Sequence, residues 1–303
     1  PEQAGVSNTT VTMNAASMNN SGFEFSATYR NRDHDFKYEL SANLSTLRNR
    51  VTSLGFGTDS YISGAYITNV GQEIGQFYGW AYEGIARTQE DLDNHATQEG
   101  AQIGDCLYKD ISGPDGKPDG KVDANDQVVL GSGMPKIHFG LNARFEYKRF
   151  DLSIATFGAL NYHVSDDIYN SLNSCYGWGN KEGGMLDANR FSEDGSTYLS
   201  NVPRTYVTNS ASLGWNDLFS SRKIQNAAYW KIANVELGYN FPNEWFGKYV
   251  SDVRFYVSAQ NLHTFTGYHG YNVDYAGGTF TPGYNFCSYP TARTFMCGVH
   301  FTF

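Results

Sequence analysis

Several features that define common protein classes are missing from this sequence. No apolar run approaches the roughly 18 residues that a membrane-spanning helix requires, which excludes a helical membrane protein. Lys and Arg number 22 against 31 Asp and Glu, so the net charge is −9. Because binding to nucleic-acid phosphates depends on clustered Lys and Arg, nucleic acid is not expected as a partner.

Cysteine is also scarce, with four residues in 303. Cys106, Cys175, Cys287 and Cys297 form neither a C-x-x-C pair nor a metal-ligand spacing. The spacing therefore assigns no disulfide and no cysteine metal site. Cys297 is interpreted as a small apolar side chain that faces lipid.

Motifs of common enzymes are missing as well. None of the seven His residues lies in an H-E-x-x-H motif, and no G-x-S-x-G occurs. Residues 116–121 contain Gly and Lys in the manner of a phosphate-binding loop, but the metal-binding Ser or Thr and the fuller glycine spacing are missing. His138 and His300 fall on polar strand faces, where we expect them to line a lumen. The sequence predicts no enzyme.

Aromatic residues, in contrast, are abundant at 16%, although the mean hydropathy is −0.47. The last eleven residues show their arrangement, because Phe295, Cys297, Val299, Phe301 and Phe303 alternate with small or polar residues. Successive side chains of a strand point to opposite faces, so one face of this strand is apolar. Aromatic girdles mark the lipid interfaces of outer-membrane barrels, and a terminal Phe fits such a girdle.

The same alternation predicts further strands at residues 23–30, 36–45, 137–148, 150–154, 231–241 and 253–260, and at most one more at 9–13. In the segment 231–241, the apolar face is predicted to include Lys231 and Ala233 together with Val235. Eight residues of these strands are predicted to face lipid: Phe139, Leu141, Val235, Leu237, Val257, Phe295, Val299 and Phe301.

Connections between these strands alternate between short and long. Short turns are predicted at 31–35, 148–149 and 242–251, and long loops at 51–134, 162–221 and 264–292. Bacterial barrels have short periplasmic turns and long extracellular loops, so the fold class is an all-β transmembrane antiparallel barrel with its long loops outside the cell. Residues 66–86 either add a hairpin to the wall or stay within a surface loop. Aromatics at the short-turn end form one predicted belt: Tyr29, Phe36, Tyr147, Phe150, Tyr239, Phe241 and Phe303.

An acidic segment at residues 110–126 suggests a cation. Counted from Asp115, carboxylates fall at the calcium-loop positions 1, 5, 9 and 12, with a Gly at position 6. The predicted oxygen ligands are the side chains of Asp115, Asp119, Asp123 and Asp126 and the carbonyl of Lys121. Lys117 departs from the pattern at position 3. The ion would be structural Ca²⁺; the alternative is a loop in which Asp, Gly and Pro only shape turns.

Four aromatics in the long loops are candidates for contact with a sugar ring or with a protein partner: Tyr176, Trp178, Tyr268 and Tyr271. The alternative is that they pack the loops against each other, since buried aromatics usually serve packing.

Several strings resemble SusC/RagA-like TonB-dependent transporters of Bacteroidetes. They are NNSGFEF at 19–25, IGQFYG at 74–79, YWKIANVELGYNFP at 229–242, VSAQNLHTFT at 257–266, GYNVD at 270–274 and YPTARTF at 289–295. Together they span nearly the whole chain in one order.

The resemblance implies a plugged outer-membrane barrel of about 22 strands. Such a barrel imports large nutrients, typically glycans or peptides, beneath a SusD-like surface lipoprotein, with energy supplied through TonB. About 22 strands do not fit in this chain, in which about seven to nine are expected. The plug and the TonB-contacting segment have no counterpart here. Residues 1–303 are therefore expected to be the carboxy-terminal part of such a barrel, and not to transport alone, because open sheet edges are not tolerated in lipid.

The start of the chain fits this expectation. It opens Pro1-Glu-Gln-Ala, without the basic start and apolar segment of a secretory signal. A barrel protein must be exported, so its signal is expected upstream.

Two other classes stay open at this point. One is an outer-membrane adhesin or glycan-binding barrel without transport. The other is a soluble carbohydrate-binding β-sandwich, which the single aromatic belt disfavours.

Overall fold

The computed structural model describes residues 16–55, 57–174, 183, 191, 200–204, 214–246, 250–274, 277–286 and 288–303. The strand predicted at 9–13 lies outside these residues. The described residues include two short α-helices, α1 (Gln89–Asp93) and α2 (Asp167–Leu172). Single 3-10 turns lie at Ala124–Asp126, Ser221–Lys223 and Asn243–Trp245. None of the described helices has the length and apolar character needed to cross a membrane.

Strands dominate the described residues. In chain order they are β1 (Ser17–Ser21), β2 (Glu24–Asn31), β3 (Phe36–Thr46), β4 (Arg48–Ser53), β5 (Ser60–Ser63), β6 (Tyr66–Asn69), β7 (Gln76–Trp80), β8 (Tyr82–Ile85), β9 (Cys106–Tyr108), β10 (Gln127–Ser132), β11 (Ile137–Tyr147), β12 (Phe150–Leu160), β13 (His163–Asp166), β14 (Gln225–Asn226), β15 (Tyr229–Asn240), β16 (Asp252–Thr266), β17 (Tyr284–Asn285) and β18 (Thr294–Thr302).

Seven of these strands form one antiparallel sheet, which we call the wall. Its order is β2-β3-β11-β12-β15-β16-β18, so each wall strand pairs with the next wall strand along the chain. The number agrees with the seven to nine strands expected from the sequence. The outer edges of β2 and β18 carry no further strand among the described residues.

Register places the predicted apolar residues on one side of the wall, the outer face. Leu141 pairs with Ala42 and Thr156, while Leu237 pairs with Leu152 and Val257. Since directly paired residues point to the same side of a sheet, these rows confirm the common face predicted from alternation. Cys297 pairs with Val257 and is exposed on that same face.

Short and long connections alternate between consecutive strands of the wall, as the sequence predicted. Residues 32–35, 148–149 and 241–251 join strands at one end, and the three long connections leave from the opposite end. We call the long connections the loop layer. Lys148 takes a left-handed conformation (φ 56°) in the tightest of the short turns. The last long connection begins slightly later than predicted, because β16 continues to Thr266.

The open question about residues 66–86 is settled by sheet membership. β6 and β7 belong to a separate four-stranded sheet of order β10-β7-β6-β5, and β8 pairs with β9. This segment therefore contributes no strand to the wall and lies within the loop layer.

The predicted aromatic belt is present at the short-turn end. Phe36 pairs with Tyr147, and the ring of Phe150 lies 4.8 Å from that of Tyr239. Tyr239 in turn contacts Phe241 edge-on at 5.0 Å. Phe303 follows β18 at the same end and is 89% exposed. Offset and edge-on contacts of this kind are favourable for aromatic pairs.

One face assignment was wrong. The pairing of β15 with β12 passes from Thr156–Ile232 directly to Ala155–Asn234, so Ala233 is an extra residue in the ladder. Such a bulge reverses which face the preceding residues occupy. Lys231 therefore lies on the inner side, and Trp230 takes the outer side, stacked on Phe265 at 5.3 Å.

Candidate functional site

The inner face of the wall is polar and carries charges of both signs. Arg254 of β16 reaches across β15 to Asp151 of β12, with Nη2 2.5 Å from Oδ2 and Nε 3.0 Å from Oδ1. The same Nη2 donates to Glu236 Oε1 at 2.8 Å. One guanidinium thus ties three strands together through charge-assisted hydrogen bonds, which are the stronger kind.

A second charged group lies on the other half of the inner face. Arg30 Nε donates to Glu39 Oε2 at 2.6 Å, and Arg144 Nε lies 3.1 Å from Glu146 Oε1. Glu39, Arg144 and Glu146 also line a cavity of about 280 Å³ together with Arg32 and Lys37. Such a surface suits a water-filled lumen, because charged side chains stay hydrated there.

The loop layer is fastened to the wall through Lys231. Its side chain is 5% exposed, and its Nζ lies 2.5 Å from Asp274 Oδ2. The ammonium also lies 5.8 Å from the centroid of the Phe157 ring. Asp274 ends the GYNVD string, and the preceding Val273 accepts a hydrogen bond from Tyr162 at 2.9 Å. The bulge at Ala233 is what brings the Lys231 side chain to this contact.

Tyr268 lies in the interior of the loop layer. Its ring is 6% exposed, its hydroxyl donates to Asp166, and Asn285 donates to that hydroxyl at 2.9 Å. Burial and the neighbouring Asp166 carboxylate raise the pKa of Tyr268 above its ordinary value. The other carboxylate oxygen of Asp166 accepts a hydrogen bond from the backbone N–H of Tyr169, so Asp166 is the N-terminal cap of α2.

These contacts favour one of the two interpretations of Tyr268. A side chain so enclosed fits packing, which was the alternative for the loop aromatics. Tyr271, in contrast, is 64% exposed and open to a ligand or partner. Tyr176 and Trp178 lie outside the described residues.

The acidic segment is organised around backbone amides. Asp126 is fully buried and accepts from the N–H groups of Ile111 at 2.6 Å, Ser112 at 3.0 Å and Asp123 at 2.8 Å. Burial alone would raise the pKa of Asp126, but these three donors hold it below its usual value. Asp126 therefore closes the segment by joining its two ends.

The side chains of the other three predicted Asp ligands each accept a hydrogen bond from a backbone N–H two residues later. Asp115 accepts from the N–H of Lys117 at 3.2 Å, Asp119 from that of Lys121 at 3.0 Å, and Asp123 from that of Asn125 at 2.7 Å. Within the described ranges, no group of three or more His, Cys, Asp or Glu side chains is placed to hold a metal ion. The arrangement fits turn-shaping better than a gathered ligand set, and the calcium site stays a prediction.

A cavity that sequence reasoning missed lies beside this segment. It measures about 550 Å³ and is lined by Trp80, Trp215, Glu99 and Asp123 among others. The two Trp residues are far apart in the chain, and neither stands in a recognisable motif, so no local pattern could have joined them. Long-range folding of the loop layer creates this cavity.

Comparisons with known proteins agree with the wall and the loop layer. No protein-family profile matches the chain. Over 322 residues it is 30% identical to TonB-dependent receptor P3 of Formosa agariphila, a match that covers 100% of this chain and 30% of that receptor. It is 25% identical to TonB-dependent receptor SusC of Bacteroides thetaiotaomicron, over 98% of this chain and 27% of that protein.

A solved structure of the RagAB peptide transporter shares the fold. The TM-score is 0.74 at 23% sequence identity, with 94% of this chain and 29% of that chain covered. The chain thus spans about 30% of the length of the first of these relatives. Over its whole length the chain is thus similar to TonB-dependent receptors, SusC among them, and its wall has the antiparallel fold of the barrel of a bacterial outer-membrane transporter.

Proposed function

We propose that this chain forms part of the barrel wall and the outer loop layer of an importer of large nutrients, either oligosaccharides or peptides. The observation that carries the proposal is the two-sided wall of seven strands, with an apolar outer face and a polar inner face that carries ion pairs. An adhesin needs no charged lumen, whereas a transport path for polar cargo does.

The proposal includes two partners and an orientation. The open edges of β2 and β18 require further barrel strands, because unpaired edges are unfavourable in lipid. A SusD-like lipoprotein covers the loop layer from outside the cell, and TonB supplies energy from the opposite side. Tyr271, exposed in the GYNVD string, is available for contact with that lipoprotein or with cargo.

Growth experiments test transport directly. A strain lacking the receptor is grown on a panel of polysaccharides and on a peptide digest as sole carbon source. We expect lost growth on at least one of them, restored by the intact gene but not by a gene lacking its TonB-contacting segment. An adhesin would give unchanged growth on every source while surface binding of the glycan is lost. Copurification of a lipoprotein with the tagged receptor tests whether a SusD-like lipoprotein covers the loop layer.

A further inference from the structure

The cavity at Trp80 and Trp215 has a fixed aromatic frame. Trp80 and Trp215 both pack against the buried cluster of Cys106, Tyr108 and Val122. The ring of Tyr108 lies 6.2 Å from that of Trp215, and its hydroxyl donates to the Trp215 carbonyl. Side chains held in this way present a preformed surface to a ligand, which reduces the entropy lost on binding.

Each indole N–H donates a hydrogen bond to the backbone carbonyl of an acidic residue. Trp80 Nε1 donates to the carbonyl of Asp123 at 3.0 Å, and Trp215 Nε1 donates to that of Glu99 at 2.9 Å. Each Trp therefore fixes the backbone of a carboxylate-bearing residue at the cavity. Neither indole donor is left for a ligand, since each has one hydrogen to give.

The remaining polar side chains of the lining are acceptors. Glu99 and Asp123 are exposed, and neither forms an ion pair with a described residue. The other lining residues are Gly, Ala and Leu, so among the described residues no cationic side chain lines the cavity beside the two carboxylates. A ligand that fits this cavity donates hydrogen bonds, carries positive charge and can rest against an indole.

We propose that this cavity binds the ammonium or guanidinium group of a Lys or Arg side chain on a peptide. A cation over an indole is attracted by the ring quadrupole, and carboxylates add charge-assisted hydrogen bonds. A neutral sugar can donate hydroxyl hydrogen bonds to these carboxylates but gains no ion pair and no cation–π attraction, and an anionic glycan is repelled. The inference rests on the proposed import function for its biological role, since it names basic peptides as cargo.

Binding is measured on the purified full-length receptor, with tryptophan fluorescence and calorimetry. The probes are trilysine, its fully acetylated form, triglycine and maltotriose. We expect saturable binding of trilysine, weakened at least about tenfold by acetylation, because acetylation removes the charge and keeps the length. Added salt weakens the binding further, since the carboxylates are exposed.

Conservative variants locate the site. Glu99→Gln combined with Asp123→Asn removes both charges, and Asn keeps the acceptor that caps the turn at Asn125. We expect this variant to lose trilysine affinity about tenfold or more. The matched control is Glu244→Gln at the short-turn end of the wall, which leaves affinity unchanged. Folding of each variant is checked by its heat-modifiable mobility.

Other outcomes overturn the inference. A cation site is contradicted if acetylated trilysine binds as well as trilysine, or if trilysine shows no saturable binding. It is also contradicted if maltotriose binds with an affinity that the double substitution does not change. Uptake separates this from the proposed function. If trilysine binds but the receptor imports nothing, the cation site is supported and the import function is contradicted. If import is intact but binding does not depend on charge, only the cation site is contradicted.

Discussion

Arg254 occupies the space directly over Gly238 on the inner face of the wall. A β-carbon at Gly238 would lie 2.4 Å from Arg254 Nη2 and 2.5 Å from Asp151 Oδ1. The glycine is therefore what allows the guanidinium to cross β15 and reach Asp151 and Glu236. This contact depends on three strands in register.

Replacing Gly238 tests that dependence. We expect Gly238→Ala to displace Arg254 and lower the free energy of unfolding by about 1–3 kcal/mol, the usual cost of overpacking. The unfolding midpoint of the detergent-solubilised receptor gives the measurement. Gly84→Ala is the matched control, because a β-carbon there meets nothing within 4 Å. Equal stability of the two variants would show that Arg254 does not need this space.

The ion pair between Lys231 and Asp274 gives a second prediction. Lys231→Met leaves the Asp274 carboxylate without its cation, and Asp274→Asn leaves a buried ammonium, so each should cost about 1–3 kcal/mol. The double variant should recover part of this loss, since a buried pair replaced by neutral groups is often tolerated. Limited proteolysis within residues 267–293 reports whether the loop has detached. Additive losses in the double variant would mean that the two residues act independently.

Alternation along the strands was enough to predict the wall, because a polar lumen and an apolar membrane impose a period of two on every crossing. The same rule misplaced Lys231. Nothing in the alternation of residues 231–241 marks Ala233 as the bulge, since its position depends on the partners in β12 and β16. The Trp80–Trp215 cavity was equally invisible, because Trp80 and Trp215 lie in two different long connections and no local pattern joins them.

Charged substitutions on the two faces of one strand form a third prediction. Leu141→Arg places a cation on the outer face, where a midplane site costs about 2–4 kcal/mol. Asn142→Arg, one residue later, places the same charge on the polar inner face and should cost little. Equilibrium folding into lipid vesicles measures both. Similar losses for the two variants would show that the face assignment is wrong.

Acid should open the segment that Asp126 closes. The folded-state pKa of Asp126 is lowered, so its carboxylate stabilises the segment above the unfolded pKa of about 3.9, and this stability is lost as the pH falls through the lower folded value. Pepsin should therefore cut within residues 110–126 more readily as the pH drops below about 4. Asp126→Ala should be cut readily at every acidic pH at which pepsin is active, whereas Asp115→Ala, which loses one exposed contact, should behave as wild type.

Calcium binding by the same segment is open to direct titration. The spacing of Asp115, Asp119, Asp123 and Asp126 predicts a saturable isotherm that Asp119→Ala abolishes. A flat isotherm for the wild-type receptor would leave turn-shaping as the role of these carboxylates.

The orientation of the wall gives the last prediction, because the three long connections leave from one end and the three short turns from the other. Tyr271→Cys marks the loop layer and Glu244→Cys marks a short turn, in a receptor whose Cys175 and Cys287 are replaced by Ser. Cys106 is buried, and Cys297 is exposed on the apolar outer face of the wall, which we expect to face lipid, so both are retained. With long loops outside the cell, a membrane-impermeant maleimide should label Tyr271→Cys on intact cells, and Glu244→Cys only after the outer membrane is permeabilised. The reverse pattern would invert the barrel, place the Trp80–Trp215 cavity on the periplasmic side, and remove the loop layer as the first contact for cargo.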